Sequence, residues 1–217
     1  MDRSSIMDLY TFIYIGKGAI TTLQYTFLAV LGGIALGLIL SLMKLSHNKI
    51  LKIIANAYIS IFRGTPILVQ LSIIYYVLPE LAGIQLTVFV SGVIAFSMNS
   101  GAYVSEIIRS GIQSIDKGQF EAAKTLKVSK FLMCKDIILP QALHNIAPAL
   151  VNEIVNMIKE TALIAFIGGM DIMHRVKLVS AEKYTYMGPL LIAALYYYIL
   201  VNSFALFAKK LENKKLW

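Results

Sequence analysis

The chain has 217 residues, 58% of them hydrophobic, with a mean hydropathy of +0.71, well above the roughly 45–50% apolar content of soluble domains. Its net charge of +8 excludes a nucleic-acid binder in the ordinary sense, because the basic residues sit in short loops between apolar blocks and form no continuous basic face. The single cysteine, Cys134, rules out an intramolecular disulfide.

In chain order, Met1 to Tyr14 places Asp2, Arg3 and Asp8 around Ile6, Met7, Leu9 and Phe12 with no small-residue cleavage site. This predicts a short interfacial helix and not a cleaved leader. Five apolar blocks follow, about Ala19–Met43, Ile53–Leu78, Thr87–Ile108, Ile146–Ile167 and Gly188–Ala208. Each is long enough to cross a hydrocarbon layer of ~30 Å at ~1.5 Å per residue. The expected fold is an all-α membrane protein: about five transmembrane helices, a short N-terminal interfacial helix and cytoplasmic coupling helices, in one domain over residues 1–217. Gly32, Gly33 and Gly37 mark the first block as a close-packing face. The second block is interrupted by Arg63, Gly64, Thr65 and Pro66, which predicts a bend, since proline removes a donor and clashes with the preceding turn.

Loop charge sets orientation. Lys44, Lys49 and Lys52, then Arg109, Lys117, Lys124, Lys127, Lys130 and Lys135, then Lys209, Lys210, Lys214 and Lys215 put thirteen positive charges on one side. Arg3, Lys17, Arg175, Lys177 and Lys183 put five on the other. The first side is therefore cytoplasmic, with the N-terminus outside and the C-terminus inside.

The long polar loop, about 110–139, contains Gln119-Phe120-Glu121-Ala122-Ala123-Lys124-Thr125-Leu126 and closes on Leu139-Pro140-Gln141-Ala142. Glu-Ala-Ala at a helix start, with Leu-Pro at the next boundary, describes two short helices joined by a turn. The same residues also fit a solvated basic loop.

This segment resembles the Glu-Ala-Ala loop of permease subunits in binding-protein-dependent ABC importers. The resemblance extends to Phe62-Arg63-Gly64-Thr65-Pro66 with Val69-Gln70-Leu71, to Ser100-Gly101-Ala102-Tyr103-Val104-Ser105-Glu106-Ile107-Ile108-Arg109 with Gly111-Ile112-Gln113, and to Asn152-Glu153 with Lys159-Glu160-Thr161-Ala162-Leu163. In order, these are similar to the polar amino-acid branch, the histidine and glutamine type. The resemblance implies a second permease subunit, identical or not, two ATP-binding subunits and an extracytoplasmic amino-acid-binding protein, in the bacterial inner membrane. It makes Glu121, Ala122, Ala123, Lys127, Leu139 and Pro140 the ATPase-coupling residues and Arg63, Gly64, Thr65 and Pro66 part of a gate. The family usually has glycine where this chain has Lys127. Glycine there suits a turn of positive φ, so lysine implies a strain of ~1–2 kcal/mol or a different turn. No phosphate-loop sequence is present, so ATP is expected on the partner subunit and no cofactor on this one.

Polar residues inside spans are costly, and the fourth block holds most of them. Glu153, Asn156, Met157 and Glu160 share one stripe at ~100° per residue, with ~10.5 Å between the two carboxylates along the axis. Such a seam can hold an amino acid's ammonium and side chain. Alternatively, Glu153 and Glu160 are neutralised by Lys159, Arg63 or Arg109 and only fix packing. Asn99, beside the small run Ser100-Gly101-Ala102, is a further lining candidate, or else an interhelical hydrogen bond. Glu106 and Arg109 are expected to pair at i, i+3. His47, His144 and His174 lie far apart, which excludes a metal site on sequence spacing. A membrane enzyme would need a nucleophile with its base, and a channel has no reason to carry the Glu-Ala-Ala loop. The substrate reading covers glutamine-like and basic amino acids such as arginine or histidine.

Overall fold

The computed structural model describes residues 8–213, and within them every regular element is helical. Asp2, Arg3, Ile6, Met7, Lys214 and Lys215 lie outside the described residues. Helix α1 (Leu9–Gly16) runs almost directly into α2 (Gly18–Leu45), because Lys17 between them keeps helical angles. Asp8 opens α1 by accepting from the Thr11 N–H at 3.0 Å. Helix α1 continues into α2 as one apolar stretch, Leu9–Leu45, where a separate short helix was expected, and it is clasped to later elements. Lys183 pairs with Asp8 at 3.0 Å, and the Tyr196 hydroxyl donates to the Phe12 carbonyl at 3.0 Å.

The second block is three helices around a break: α3 (Lys49–Gly64), α4 (Ile67–Ser72) and α5 (Leu78–Ala82), with a π-helical segment at Ile73–Val77. The two arms meet at 105°. Next come α6 (Val88–Gln113), α7 (Lys117–Thr125), α8 (Lys130–Leu132), a second π segment (Met133–Ile138) and α9 (Leu139–Glu160). A 3-10 stretch (Thr161–Ile167) then leads to α10 (Ile172–Lys183) and α11 (Met187–Asn213). Leu9–Leu45, Val88–Gln113 and Met187–Lys210 are long and apolar enough to cross a membrane, as is the bent pair taken as one span. The 22 residues of α9 reach ~33 Å, but its polar seam sets it apart from these apolar spans.

Both π segments have the same cause. Each ends on Leu-Pro, and the proline can neither donate to the carbonyl four residues back nor tolerate it at helical distance. The turn therefore widens, and the Leu78 and Leu139 N–H groups reach the Ile73 and Cys134 carbonyls five residues back. This corrects the expected boundary at Leu139-Pro140, because the chain stays helical through it. The helix that carries the fourth block accordingly starts at Leu139, ahead of Ile146, and it leaves α-geometry at Glu160. A second correction concerns Glu121. The carboxylate at the start of α7 is Asp116, which accepts from the Gly118 N–H at 2.6 Å, and Glu121 falls in the second turn.

The bundle closes on the α2–α6 contact, where small residues let backbones approach. A Cβ on Gly33 would stand 2.6 Å from the Ser100 side chain, and one on Gly37 2.6 Å from Val104. Tyr25, Phe96, Leu71, Met157 and Ile164 fill the adjoining core.

Candidate functional site: an acidic seam joined to a polar foot

The seam begins with helix periodicity, which turns Glu153 and Met157 of α9 into the bundle and leaves Asn156 exposed and Glu160 half-buried. Glu153 is 7% exposed, and the Ser100 hydroxyl of α6 donates to its Oε1 at 2.8 Å. Ser100 is held there because Gly33 behind it has no side chain. Met157 is fully buried in the core and touches no open space in this conformation. The stripe expected from sequence is thus one helical row, but its four members meet three different surroundings.

Two of the three cations that might have neutralised this seam, Arg63 and Arg109, lie elsewhere, whereas Lys159 stays within electrostatic reach of Glu160 without forming a salt bridge to it. Glu106 of α6 collects Lys44 at 2.6 Å, Arg109 at 2.8 Å and Arg63 at 3.6 Å. The expected Glu106–Arg109 pair is present, within a larger hub tying the ends of α2 and α3 to α6. Arg63 also lies over the Tyr103 ring at 5.5 Å. Among the described residues, neither Glu153 nor Glu160 takes part in an ion pair. A buried carboxylate with one hydroxyl donor is short of compensating charge, so the seam suits an incoming cation or ammonium group.

The break at Arg63, Gly64, Thr65 and Pro66 is closed by a side chain from α4. The Gln70 amide donates towards the Phe62 carbonyl at 2.9 Å, the Thr65 carbonyl at 3.0 Å and the Thr65 hydroxyl at 2.9 Å. The two carbonyls lie at the end of α3, where no further helical N–H follows to serve them, and the Phe62 carbonyl also accepts from Asn99 Nδ2 at 3.4 Å. Asn99 donates to Gln70 Oε1 at 3.0 Å and is 4% exposed. The structure gives Asn99 the interhelical hydrogen bond, at the bend and away from open space. Gln70 is the residue sequence reasoning passed over as a site, although a polar amide in an apolar block was the available signal.

The foot is built on Ile115, Ile138, Ala142 and Ile146, packed with Ile108, Ile112, Phe120 and Ile137. That core fuses α7 and the second π segment to the ends of α6 and α9. Ala123 faces this core, whereas Glu121, Ala122, Lys127, Leu139 and Pro140 are exposed. Lys127 adopts φ 54 in the turn after α7, the left-handed conformation that glycine would take without strain.

Comparison with known proteins places this geometry. A permease protein GlnP of Rickettsia conorii, provisionally assigned by name to a glutamine transport system, is 54% identical over 203 residues, covering 94% of this chain and 93% of that one. The arginine transport system permease protein ArtQ of Bacillus subtilis is 46% identical over 214 residues, covering 99% and 97%. The crystal structure of an amino acid ABC transporter with histidines superposes with a TM-score of 0.92 at 40% identity, covering 99% of both chains. An inward-facing MetNI methionine ABC transporter shares the fold, with a TM-score of 0.80 at 16% identity and coverage of 96% and 99%. Residues 33–216 match the family described as the inner membrane component of binding-protein-dependent transport systems. The helical bundle, the bent span and the foot are thus those of that family, and the chain belongs to it.

Proposed function

We propose that this chain is the permease subunit of an ATP-driven importer for polar amino acids, glutamine-like or basic. The carrying observation is that α9 runs unbroken from the foot at Leu139 to the acidic seam at Glu153 and Glu160. A push on the foot therefore reaches the carboxylates along one continuous helix, in which Pro148 removes one backbone hydrogen bond between the two ends. The unneutralised carboxylates suit an amino acid's ammonium or a basic side chain. The names of the similar Rickettsia and Bacillus proteins support the same substrate class.

In this reading the protein is a multi-pass inner-membrane subunit with its N-terminus outside and its C-terminus in the cytoplasm. It works with a second permease subunit, two ATP-binding subunits and an extracytoplasmic amino-acid-binding protein. ATP is bound and hydrolysed by the partner, and Glu121 and Ala122 belong to the surface it meets, with Ala123 buried beneath them. Transport follows from a difference in affinity between outward and inward states. The substrate contacts assigned to the seam are Glu153, Asn156, Met157 and Glu160, with Met157 reaching the path only after the core around it opens.

The test is uptake by proteoliposomes holding the assembled complex, with labelled glutamine and arginine in separate runs. ATP-dependent accumulation of either supports the reading. Equal flux with and without ATP would make the chain a passive pore and end it.

A further inference from the structure

Helix α7 ends in a double hydrogen-bonded turn. The Lys127 N–H donates to the Lys124 carbonyl and the Val128 N–H to the Ala123 carbonyl, each at 3.0 Å, with Lys127 at φ 54 between them. This is the helix stop in which the left-handed position is usually glycine. Elsewhere the fold places in that conformation Gly83 with φ 64, Gly168 with φ 91 and one other non-glycine residue, Tyr184 with φ 52 at the end of α10. At residue 127 it retains a lysine whose Cβ is unfavourable there.

The two backbone hydrogen bonds of the turn offset part of that strain, and no side-chain contact of the lysine among the described residues adds to them. Lys127 is exposed, and its ammonium has no hydrogen bond or ion pair among the described residues. Beside it Leu126 is 76% exposed and Phe131 72%. These apolar side chains project from the polar, water-facing foot and not from a lipid-facing span. Lys124 and Lys130 flank them, and between residues 110 and 139 the lysines 117, 124, 127, 130 and 135 outnumber Asp116, Glu121 and Asp136. An apolar knob ringed by lysines fits a hydrophobic groove with an acidic rim.

We infer that Lys127 is a partner-specificity residue: its ammonium pairs with a carboxylate on the rim of the ATPase groove that receives Leu126 and Phe131. Strain kept at an exposed position is explained by a contact made outside the chain. This rests on the reading that the foot stands on an ATPase. A rim charge acts mainly on association rate and salt dependence, so Lys127 selects the correct ATPase while the apolar knob supplies most of the hold.

The experiment titrates the purified ATPase of its own complex onto the full-length permease in nanodiscs. Wild type is compared with Lys127→Gly and Lys127→Glu, at low and high salt, in bilayers with and without anionic lipid. Expected is about fivefold weaker binding for Lys127→Gly at low salt, a shallower salt dependence, and a raised melting temperature from relief of the turn. Lys127→Glu binds more weakly still, and one acidic-to-lysine change on the ATPase rim restores it. Lys127→Gly binding with wild-type affinity and salt slope would overturn the inference while leaving the importer reading intact. A loss seen only with anionic lipid would assign Lys127 to lipid headgroups and also overturn it. Wild type that fails to bind the ATPase at all would remove the importer reading and this inference with it.

Discussion

Asn99 Nδ2 and Gln70 Oε1 meet at 3.0 Å across the elbow of the second span, joining α6 to the short arm of a helix broken at 105°. The same Gln70 amide holds the Phe62 and Thr65 carbonyls. Proline creates the break, and this clasp sets its angle. Gln70→Leu keeps the apolar bulk but takes the donor from the exposed Thr65 carbonyl and leaves Asn99 and the Phe62 carbonyl with only their mutual contact at 3.4 Å. The expected cost is about 1–3 kcal/mol, the range for one under-satisfied buried polar group. Thermal unfolding of the solubilised protein measures it, and an unchanged midpoint would show that the elbow needs no clasp.

Gly33 and Gly64 should respond oppositely to the same added methyl. A Cβ on Gly33 stands 2.6 Å from the Ser100 side chain, whose hydroxyl serves Glu153. Gly33→Ala therefore separates α2 from α6, costs about 1–3 kcal/mol and disturbs the seam. Gly64 has nothing within 4 Å of such an atom and no left-handed angle. Gly64→Ala is expected to be neutral or slightly stabilising, so its length of free backbone is dispensable even though it sits at the bend. Parallel melting curves of the two variants check the contrast.

Asp171 gives the fold a pH dependence. It is fully buried, caps α10 by accepting from the His174 N–H at 2.8 Å, and accepts from the Tyr197 hydroxyl at 3.3 Å. Burial, opposed by these hydrogen bonds, pushes its carboxyl from 3.8 up to about 6. The folded state thus holds the proton more tightly than the unfolded chain. The associated stability is fully present below about 3.8 and lost as pH rises through about 6, on the order of 3 kcal/mol in all. Asp171→Asn keeps the cap without the titration. Melting midpoints between pH 4.5 and 7.5, roughly spanning this shifted titration, should fall less for the variant than for wild type. Parallel curves would contradict this account of Asp171.

The parts of the molecule legible in sequence are those decided locally. Apolar blocks of span length gave the helices, Gly33 and Gly37 gave the tight α2–α6 face, and Glu106 with Arg109 is a pair one turn apart. What stayed hidden depends on distant partners. Glu106 also gathers Lys44 and Arg63, 62 and 43 positions away, which no helical spacing connects. Asn99 was readable as polar and intramembrane, but its partner lay across the break. Leu78-Pro79 and Leu139-Pro140 read as helix ends because proline usually ends helices. The chain instead continues through a widened turn before each proline, in which the Leu78 and Leu139 N–H groups reach five residues back. The polar row of α9 was visible as a row, whereas the split between buried Glu153 and exposed Asn156 needed its neighbours in place.

The central claim is that the Glu153 carboxylate forms part of the amino-acid path. Its most direct test is ATP-driven uptake by the reconstituted complex carrying Glu153→Gln, a change that keeps shape and the Ser100 hydrogen bond but removes the charge. The complex should assemble and hydrolyse ATP while uptake falls by about tenfold or more, the loss expected for a charge-assisted contact. Uptake at the wild-type rate from an equally assembled complex would contradict it.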